Sequence, residues 1–231
     1  MNLPALTTEQ MIEVDRLMIE EYGITLMQMM ENAGRNLAAL ARRMLNGVID
    51  RNIVVLCSAG NNGGGGLVAA RHLLNWGARV SVKLVAEESK LKEVPAHQYR
   101  SLKKLGAIKD EVDLDRAELI IDALIGYGLK GNPRGSIAEW IDRANRSTRS
   151  ILALDAPSGL ETTIGIPGQP CIKATATMTL ALPKIGLLTQ AAKSIVGELY
   201  VADISVPPEL YTHLGFEVGA IFAEESIIRI G

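Results

Sequence analysis

Polar residues in this sequence collect where short apolar segments end. The first collection, residues 60–66, reads Gly-Asn-Asn-Gly-Gly-Gly-Gly and joins an apolar run to a helical pattern. Glycines at a helix start let backbone N–H groups approach a ligand closely, and the helix dipole favours an anion such as phosphate. The alternative is a tight strand-to-helix turn that needs glycine for its dihedral angles alone. Because a turn seldom needs four glycines in succession, the loop favours ligand binding.

Two familiar phosphate loops can be compared with residues 60–66. No Gly-Lys-Ser or Gly-Lys-Thr follows, which excludes a nucleotide-hydrolysing P-loop. The spacing Gly64-x-Gly66-x-x-Ala69 fits the dinucleotide fingerprint loosely, and Glu87 or Glu88 lies near the position of a ribose-binding acid. A nicotinamide oxidoreductase is therefore one weak hypothesis, since a run of glycines satisfies many patterns.

Two further strand ends carry aspartates. Asp122 closes an apolar run within the predicted strand ELIIDALIG (118–126) and precedes a glycine loop with one lysine, Lys130. Asp155 precedes a Pro-Ser-Gly turn that presents Ser158. Asp122 is either a ligand for a cation or ribose, or a cap for the next turn, and Lys130 is either functional or an exposed loop cation. Two aspartates, a serine and the asparagine pair are hard oxygen ligands, which suit an alkali or alkaline-earth cation better than zinc.

Composition excludes several classes of protein. Aromatic residues make up 4% of the 231 residues and the formal net charge is −2, so we expect no nucleic-acid partner. The two cysteines, Cys57 and Cys171, lack the spacing of a zinc site or a disulfide framework. No segment has the length of a membrane span. We therefore expect a cytoplasmic protein with no membrane partner.

The elements that position these residues follow from periodicity. Residues 7–23 begin with Thr7 and Gln10 at capping-box spacing and predict a helix, and residues 24–47 predict a second. From residue 52 onward, short strands alternate with helices of ten to fifteen residues, which predicts an α/β fold with a mostly parallel sheet. Ligands of such sheets bind outside the carboxyl ends of the strands, where all three polar collections lie.

Six segments, in order, carry a family resemblance. They are MENAGR (30–35), AGNNGGGGLVAARHL (59–73), DALIGYGLKG (122–131), LALDAPSGLETTIG (152–165), TLALPKIGLL (179–188) and VADISVPPEL (201–210). Together they resemble the YjeF N-terminal domain family, the NAD(P)HX epimerases, across nearly the whole chain.

The resemblance implies a fold and an activity. The fold is a three-layer, Rossmann-like α/β/α sandwich, often homodimeric. The activity is an isomerase that interconverts the 6R and 6S forms of hydrated NADH and NADPH, after which a dehydratase restores the normal cofactor. The dehydratase is commonly fused behind the epimerase domain. We expect residues 1–231 to be a single domain of this type, with the dehydratase as a separate partner protein.

The resemblance also implies site residues. Residues that bind the dinucleotide substrate are expected in two loops and at one strand end, namely Asn61, Asn62, Gly63, Gly64 and Gly65, then Gly126, Tyr127, Gly128, Leu129, Lys130, Gly131 and Asn132, and finally Asp155. A potassium ion is expected on Asn62, Asp122 and Ser158. Inversion at a hemiaminal carbon needs proton transfer, and we assign it by hypothesis to Asp122 and Lys130 as catalytic residues.

One residue departs from the family pattern. The family's loop usually reads Asn-Asn-Gly-Gly-Asp-Gly, whereas Gly65 stands where that aspartate is expected. Retention of polar residues at all three strand ends favours an active epimerase. The alternative is a catalytically impaired nucleotide-binding or scaffold module of the same fold.

Overall fold

A computed structural model describes residues 3–230 of the chain. Its helices and strands, in chain order, are α1 (Thr8–Glu20), α2 (Leu26–Met44), β1 (Asn52–Cys57), α3 (Asn61–Asn75), β2 (Arg79–Leu84), α4 (Glu93–Lys104), β3 (Leu119–Ala123), α5 (Gly135–Arg146), β4 (Ile151–Leu154), β5 (Ala176–Leu180), α6 (Lys193–Val196), β6 (Glu198–Ala202), α7 (Pro208–His213) and β7 (Ile227–Arg229). Two short 3₁₀ helices lie at Glu88–Lys90 and Ile185–Leu188.

The strands form one seven-stranded sheet in the order β2-β1-β3-β4-β5-β6-β7. All neighbouring pairs are parallel except β6 and β7. The predicted mostly parallel sheet is therefore confirmed. Strand β2 lies on one side of β1 and β3 lies on the other, so the strand order reverses at β1. This reversal opens a crevice at the carboxyl ends of β1 and β3, the usual place for a ligand.

Helices cover both faces of the sheet. On one face α2, α3 and α4 pack through a large apolar cluster that includes Leu37, Leu67 and Leu102. On the other face α5 packs through Trp140 and Ile141. Strands β3 and β4 are buried along their whole length, as expected for strands covered on both sides. The three-layer α/β/α architecture is confirmed.

Each of the two N-terminal helices starts at a capping box, of which the one at α1 was predicted. Thr7 and Gln10 form a reciprocal capping box at α1, and Thr25 and Gln28 form another at α2. α1 ends at Glu20, slightly earlier than the glycine at 23 suggested. α1 then packs with α7 in a separate apolar cluster at the carboxyl edge of the sheet. No helix within residues 3–230 is long and apolar enough to cross a membrane.

The MENAGR segment lies on α2, where its glycine touches α3. A Cβ atom at Gly34 would lie 2.4 Å from the Cβ of Val68 and 2.7 Å from the carbonyl oxygen of Gly65. The helix backbones can approach this closely only because residue 34 has no side chain. Gly34 therefore sets the distance between α2 and the glycine-rich start of α3.

We predict that Gly34→Val lowers the free energy of unfolding by about 2 to 3 kcal/mol, because the new side chain must push α2 away from α3. Urea unfolding followed by circular dichroism measures the change. Arg35→Val is the matched control, since Arg35 is exposed on the same helix. It introduces the same β-branched residue without the contact, so a similar loss in both variants would contradict the packing argument.

Candidate ligand-binding site

A cavity of about 380 Å³ opens at the carboxyl edge of the sheet. Its walls come from α1, α2, the start of α3, the loop after β3, the end of β4 and the segment after β5. The three groups of polar residues that the sequence places at strand ends thus meet at one place. Not all of their residues reach the cavity surface. The location matches the crevice that the strand order creates.

Helix α3 begins inside this crevice. Gly60 is its N-cap without a side-chain cap, and the Gly64 N–H is bonded to the Gly60 carbonyl at 3.0 Å. The N–H groups before Gly64 have no intrahelical partner, which leaves donors at the cavity wall. Asn61, Asn62 and Gly65 line the cavity.

The four glycines are helical, and none of them has a positive φ. The explanation by turn dihedral angles is therefore wrong for residues 63–66. A Cβ at Gly63 would lie 2.0 Å from the Ser58 carbonyl oxygen, and one at Gly66 would lie 2.5 Å from the Cβ of Ala123. Glycines are needed here because the start of α3 presses against the ends of β1 and β3, a packing requirement that sequence reasoning missed.

Gly65, the departure from the family pattern, is buried and faces Leu154. A Cβ at this position would lie 2.7 Å from Cδ2 of Leu154, which is 1% exposed. The leucine side chain thus occupies the space into which a longer residue at 65 would project. Gly65 and Leu154 form a matched pair in this chain.

An ion pair almost completely removed from solvent lies in the cavity wall. Nζ of Lys184, with no exposed surface, is 2.6 Å from Oδ1 of Asp155. The ammonium also donates to the hydroxyl of Thr179 at 3.2 Å and to the carbonyl of Leu180 at 3.0 Å. All three ammonium donors therefore have partners, which is the condition under which a buried charge is tolerated. Asp155 adopts φ 67°, a conformation that aspartate accepts more readily than most residues.

The other oxygen of Asp155 holds the loop after β3. Its Oδ2 accepts a hydrogen bond from the backbone N–H of Tyr127 at 2.8 Å. A Cβ at Gly126 would lie 2.8 Å from this oxygen and 3.2 Å from Oδ1 of Asn62. The structure therefore brings together Asn62, Gly126 and Asp155, three residues that the family resemblance placed at the substrate.

Asp122 and Ser158 lie beneath the cavity and do not line it. Asp122 Oδ1 accepts from the Ser158 hydroxyl at 2.6 Å and from the Leu124 N–H at 3.2 Å, and its Oδ2 accepts from the Ser158 N–H at 2.8 Å. Burial raises the pKa of Asp122 to about 6, against the lowering effect of these bonds. No basic side chain contributes to that balance.

The second predicted loop is only partly at the cavity. Gly126, Tyr127 and Gly128 line it, whereas the rest of the loop, Leu129, Lys130, Gly131 and Asn132, does not. Lys130 is exposed and forms no hydrogen bond or ion pair within residues 3–230, and Asn132 accepts a hydrogen bond from the Gln169 N–H at 3.0 Å instead. Within the first loop, Gly63 and Gly64 pack behind the cavity wall.

The candidate ribose-binding acids of the dinucleotide fingerprint are also elsewhere. Glu87 pairs with Lys90 at 3.4 Å and Glu88 with Lys103 at 2.8 Å, all on the exposed surface. Neither glutamate lines the cavity. The oxidoreductase hypothesis therefore gains no support from the site.

Two cavity residues were missed by sequence reasoning. Lys184 lies inside the apolar segment 179–188, and a charge within an apolar run is a signal of functional burial. Asp15 lies on α1 one turn from Met11 and Met18, both buried, so an acid on the apolar face of an amphipathic helix was the available signal. The Tyr127 hydroxyl donates to Oδ2 of Asp15 at 2.5 Å.

Comparison with known proteins places these features in a family. Residues 26–186 match the family described as YjeF-related protein N-terminus. The chain is 41% identical over 220 residues to an NAD(P)H-hydrate epimerase of Dehalogenimonas lykanthroporepellens, covering 92% of this chain and 86% of that protein. It is 40% identical over 216 residues to a bifunctional NAD(P)H-hydrate repair enzyme of Moorella thermoacetica, covering 88% of this chain and 41% of that enzyme. The chain thus spans about two fifths of the bifunctional relative.

A solved structure shows the same fold. The crystal structure of the yeast protein YNL200c superposes with a TM-score of 0.84 at 25% identity, covering 99% of this chain and 100% of that one. The overlap includes the elements on both sides of residues 26–186.

We predict that Gly126→Ala lowers the free energy of unfolding by about 1 to 3 kcal/mol, because the new methyl group would press against Asp155 and Asn62. Urea unfolding measures the change. Gly128→Ala is the comparison, since a Cβ there meets nothing within 4 Å. If the two variants lose stability equally, loop stiffness rather than this contact is responsible.

We predict that Gly65→Asp lowers the free energy of unfolding by about 1 to 3 kcal/mol, because Leu154 must leave its place. In a Leu154→Ala background the same substitution should cost clearly less, since the space is then open. Denaturant unfolding of the four proteins in this double-mutant cycle measures the coupling. A coupling near zero would show that the two side chains do not compete.

Proposed function

The chain belongs to the YjeF-related protein N-terminus family, and on that premise we propose that it is an NAD(P)H-hydrate epimerase. Such an isomerase interconverts the 6R and 6S forms of hydrated NADH and NADPH. The relatives that carry this name cover most of the chain at 33 to 41% identity, which supports the proposal. The substrate is accordingly a small-molecule dinucleotide.

The observation that carries the proposal is the convergence at one cavity of the uncapped start of α3, Gly126 and Asp155. The N–H groups at the helix start suit the phosphates of a dinucleotide. The apolar wall supplied by Met29, Met30 and Leu154 suits a nicotinamide ring. A volume of about 380 Å³ is enough for the hydrated ring and its ribose, with the remaining nucleotide outside the cavity near the start of α3.

The reaction requires proton transfer at a hydroxyl group and stabilisation of charge on the ring. The carbon that inverts carries a hydroxyl beside a ring nitrogen, so it can lose water and regain it on the other face. Asp155, held by Lys184 and by the Tyr127 N–H, is an anion fixed beside the ring, as a preorganised electrostatic group should be. Asp122, within β3, and Lys130, in the loop after β3, do not line the cavity, and their role in proton transfer stays a prediction.

The alternative, an impaired binding or scaffold module, depends on the missing carboxylate at Gly65. Two other carboxylates, Asp15 and Asp155, line the same cavity. We propose that they supply the charge and hydrogen bonds that the family's loop aspartate would otherwise contribute, so that the chain is an active enzyme.

We further propose a potassium ion held by Asn62, Asp122 and Ser158. Asp122 is a fully buried carboxylate with no basic partner, and a monovalent cation would balance its charge. The side-chain Nδ2 of Asn62 is buried without a hydrogen-bond partner, so the amide is free to turn its oxygen toward an ion. No group of three or more His, Cys, Asp or Glu residues within residues 3–230 could hold a metal, and the proposed set relies on amide and hydroxyl oxygens instead. When bound, the ion would neutralise Asp122 and hold the loop beneath the cavity.

Three more expectations rest on the family resemblance, and we propose them on that basis. Two copies form a homodimer, the protein is cytoplasmic, and a dehydratase consumes the product. Light scattering of the purified protein tests the first of these.

We predict that the purified protein accelerates interconversion of 6R- and 6S-NADHX well above the spontaneous rate. Chromatographic separation of the two epimers over time measures it, in potassium chloride and in tetramethylammonium chloride. Binding of NADP⁺ without any acceleration would instead favour the impaired module.

We predict that potassium chloride raises the melting temperature of the wild-type protein relative to tetramethylammonium chloride at the same ionic strength. Asp122→Asn should abolish this difference, because the variant has no buried charge for a cation to balance. Differential scanning calorimetry at constant pH measures both. A potassium effect of equal size in Asp122→Asn would rule out the proposed site.

A further inference from the structure

An acid from the N-terminal helix completes the cavity wall. Asp15 lies on α1, outside residues 26–186 that match the family, and it lines the cavity beside Tyr127. The Tyr127 hydroxyl donates to its Oδ2 at 2.5 Å. Its Oδ1 forms no hydrogen bond to any group within residues 3–230, so one carboxylate oxygen is held and the other is free.

The surroundings of Asp15 combine opposing effects on its pKa. Burial raises the pKa, the hydrogen bond from Tyr127 and the charge of Lys184 lower it, and the charge of Asp155 raises it again. Tyr211 of α7 is also near enough to be affected, since burial and the charges of Asp203 and Asp15 raise the pKa of that phenol. The net direction is upward. A carboxyl group whose pKa is raised holds its proton more readily, which suits the role of a general acid.

The other titratable groups at the cavity are less available. Lys184 and Asp155 are committed to each other in their ion pair. Lys92 lies at the exposed rim, and the proton of Tyr127 is donated to Asp15. Among the described titratable side chains that line the cavity, Asp15 thus combines partial burial, a raised pKa and an unoccupied oxygen.

We propose that Asp15 is the catalytic acid and base of the epimerisation and that Tyr127 is its positioning residue. This inference rests on the proposed function. Protonated Asp15 gives its proton to the hydroxyl of the hemiaminal carbon, the carbon–oxygen bond breaks, and water leaves. The lone pair of the ring nitrogen forms the carbon–nitrogen double bond, and Asp15 is left as a carboxylate. One water then adds to the opposite face of the iminium carbon, its excess proton returns to Asp15, and the ring nitrogen recovers its lone pair.

The charges of the intermediate fit this arrangement. The iminium is positive, and it forms together with the Asp15 carboxylate next to Asp155. Lys184 holds the Asp155 carboxylate in place through its 2.6 Å contact. The negative charge beside the ring thus increases, through Asp15, as the ring becomes positive.

The test compares Asp15→Asn, Tyr127→Phe and the control Glu13→Gln, which changes an exposed acid on the same helix that pairs with Arg16. Each protein is assayed for 6R-to-6S conversion of NADHX across pH and for NADP⁺ affinity by calorimetry. We expect Asp15→Asn to lower the turnover rate at least about 100-fold while NADP⁺ affinity stays within about threefold of wild type. Glu13→Gln should behave as wild type.

The variant Tyr127→Phe distinguishes a role of Tyr127 in positioning Asp15 from a purely structural role. It removes a hydrogen bond that lowers the pKa of Asp15, so we expect a smaller loss of turnover, about tenfold, and a shift of the Asp15 limb of the pH profile to higher pH. A purely structural role of the phenol would lower the rate without moving that limb.

The outcomes distinguish this inference from the proposed function. If wild type accelerates the conversion and Asp15→Asn does so equally, the role of Asp15 is overturned and the epimerase remains. If Asp15→Asn loses NADP⁺ affinity in parallel with turnover, Asp15 is a binding residue and not the proton carrier. If wild type itself gives no acceleration while NADP⁺ binds, the epimerase proposal fails and this inference fails with it.

Discussion

The buried ion pair between Asp155 and Lys184 is the interaction on which the site depends. Both side chains lie almost completely out of solvent, and removing either would leave a charge that the interior cannot hydrate. The pair joins the end of β4 to the segment after β5, and the second oxygen of Asp155 then holds the Tyr127 N–H. Tyr127 in turn donates to Asp15 on α1. A single line of charged and hydrogen-bonded groups therefore runs from the sheet to the N-terminal helix and keeps the cavity in shape.

The glycine run is the second constraint, and it acts through packing. Gly63 and Gly66 let α3 start directly against Ser58 and Ala123 at the strand ends, and Gly34 lets α2 lie against the same turn of α3. Because these contacts leave no room for side chains, the N–H groups at the helix start open at the point where the strand order reverses. The same glycines thus allow close packing and present backbone donors to a ligand.

The carboxylates near the cavity lie at two depths, and their depth separates their roles. Asp15 and Asp155 face the cavity, whereas Asp122 lies below it with both oxygens bonded to neighbouring groups. At the position where the family usually has a further aspartate, this chain has Gly65, with Leu154 filling the adjacent space. The charge available to a ligand therefore comes from the strand end and the N-terminal helix, rather than from the first turn of α3.

The sequence by itself determined the fold class, the capping box of α1, and the three strand ends where polar residues collect, because periodicity, caps and glycine are local signals. It also identified Asn62, Gly126 and Asp155, which meet at the cavity. The tertiary structure alone decided that Asp122 lies beneath that cavity and Lys130 outside it. It also brought Lys184 and Asp15 to Asp155 and Tyr127. Those positions depend on how strands β3, β4 and β5 align and on where α1 docks. The contacts join residues 29 positions apart for Lys184 and Asp155 and 112 positions apart for Tyr127 and Asp15, so no local pattern records them.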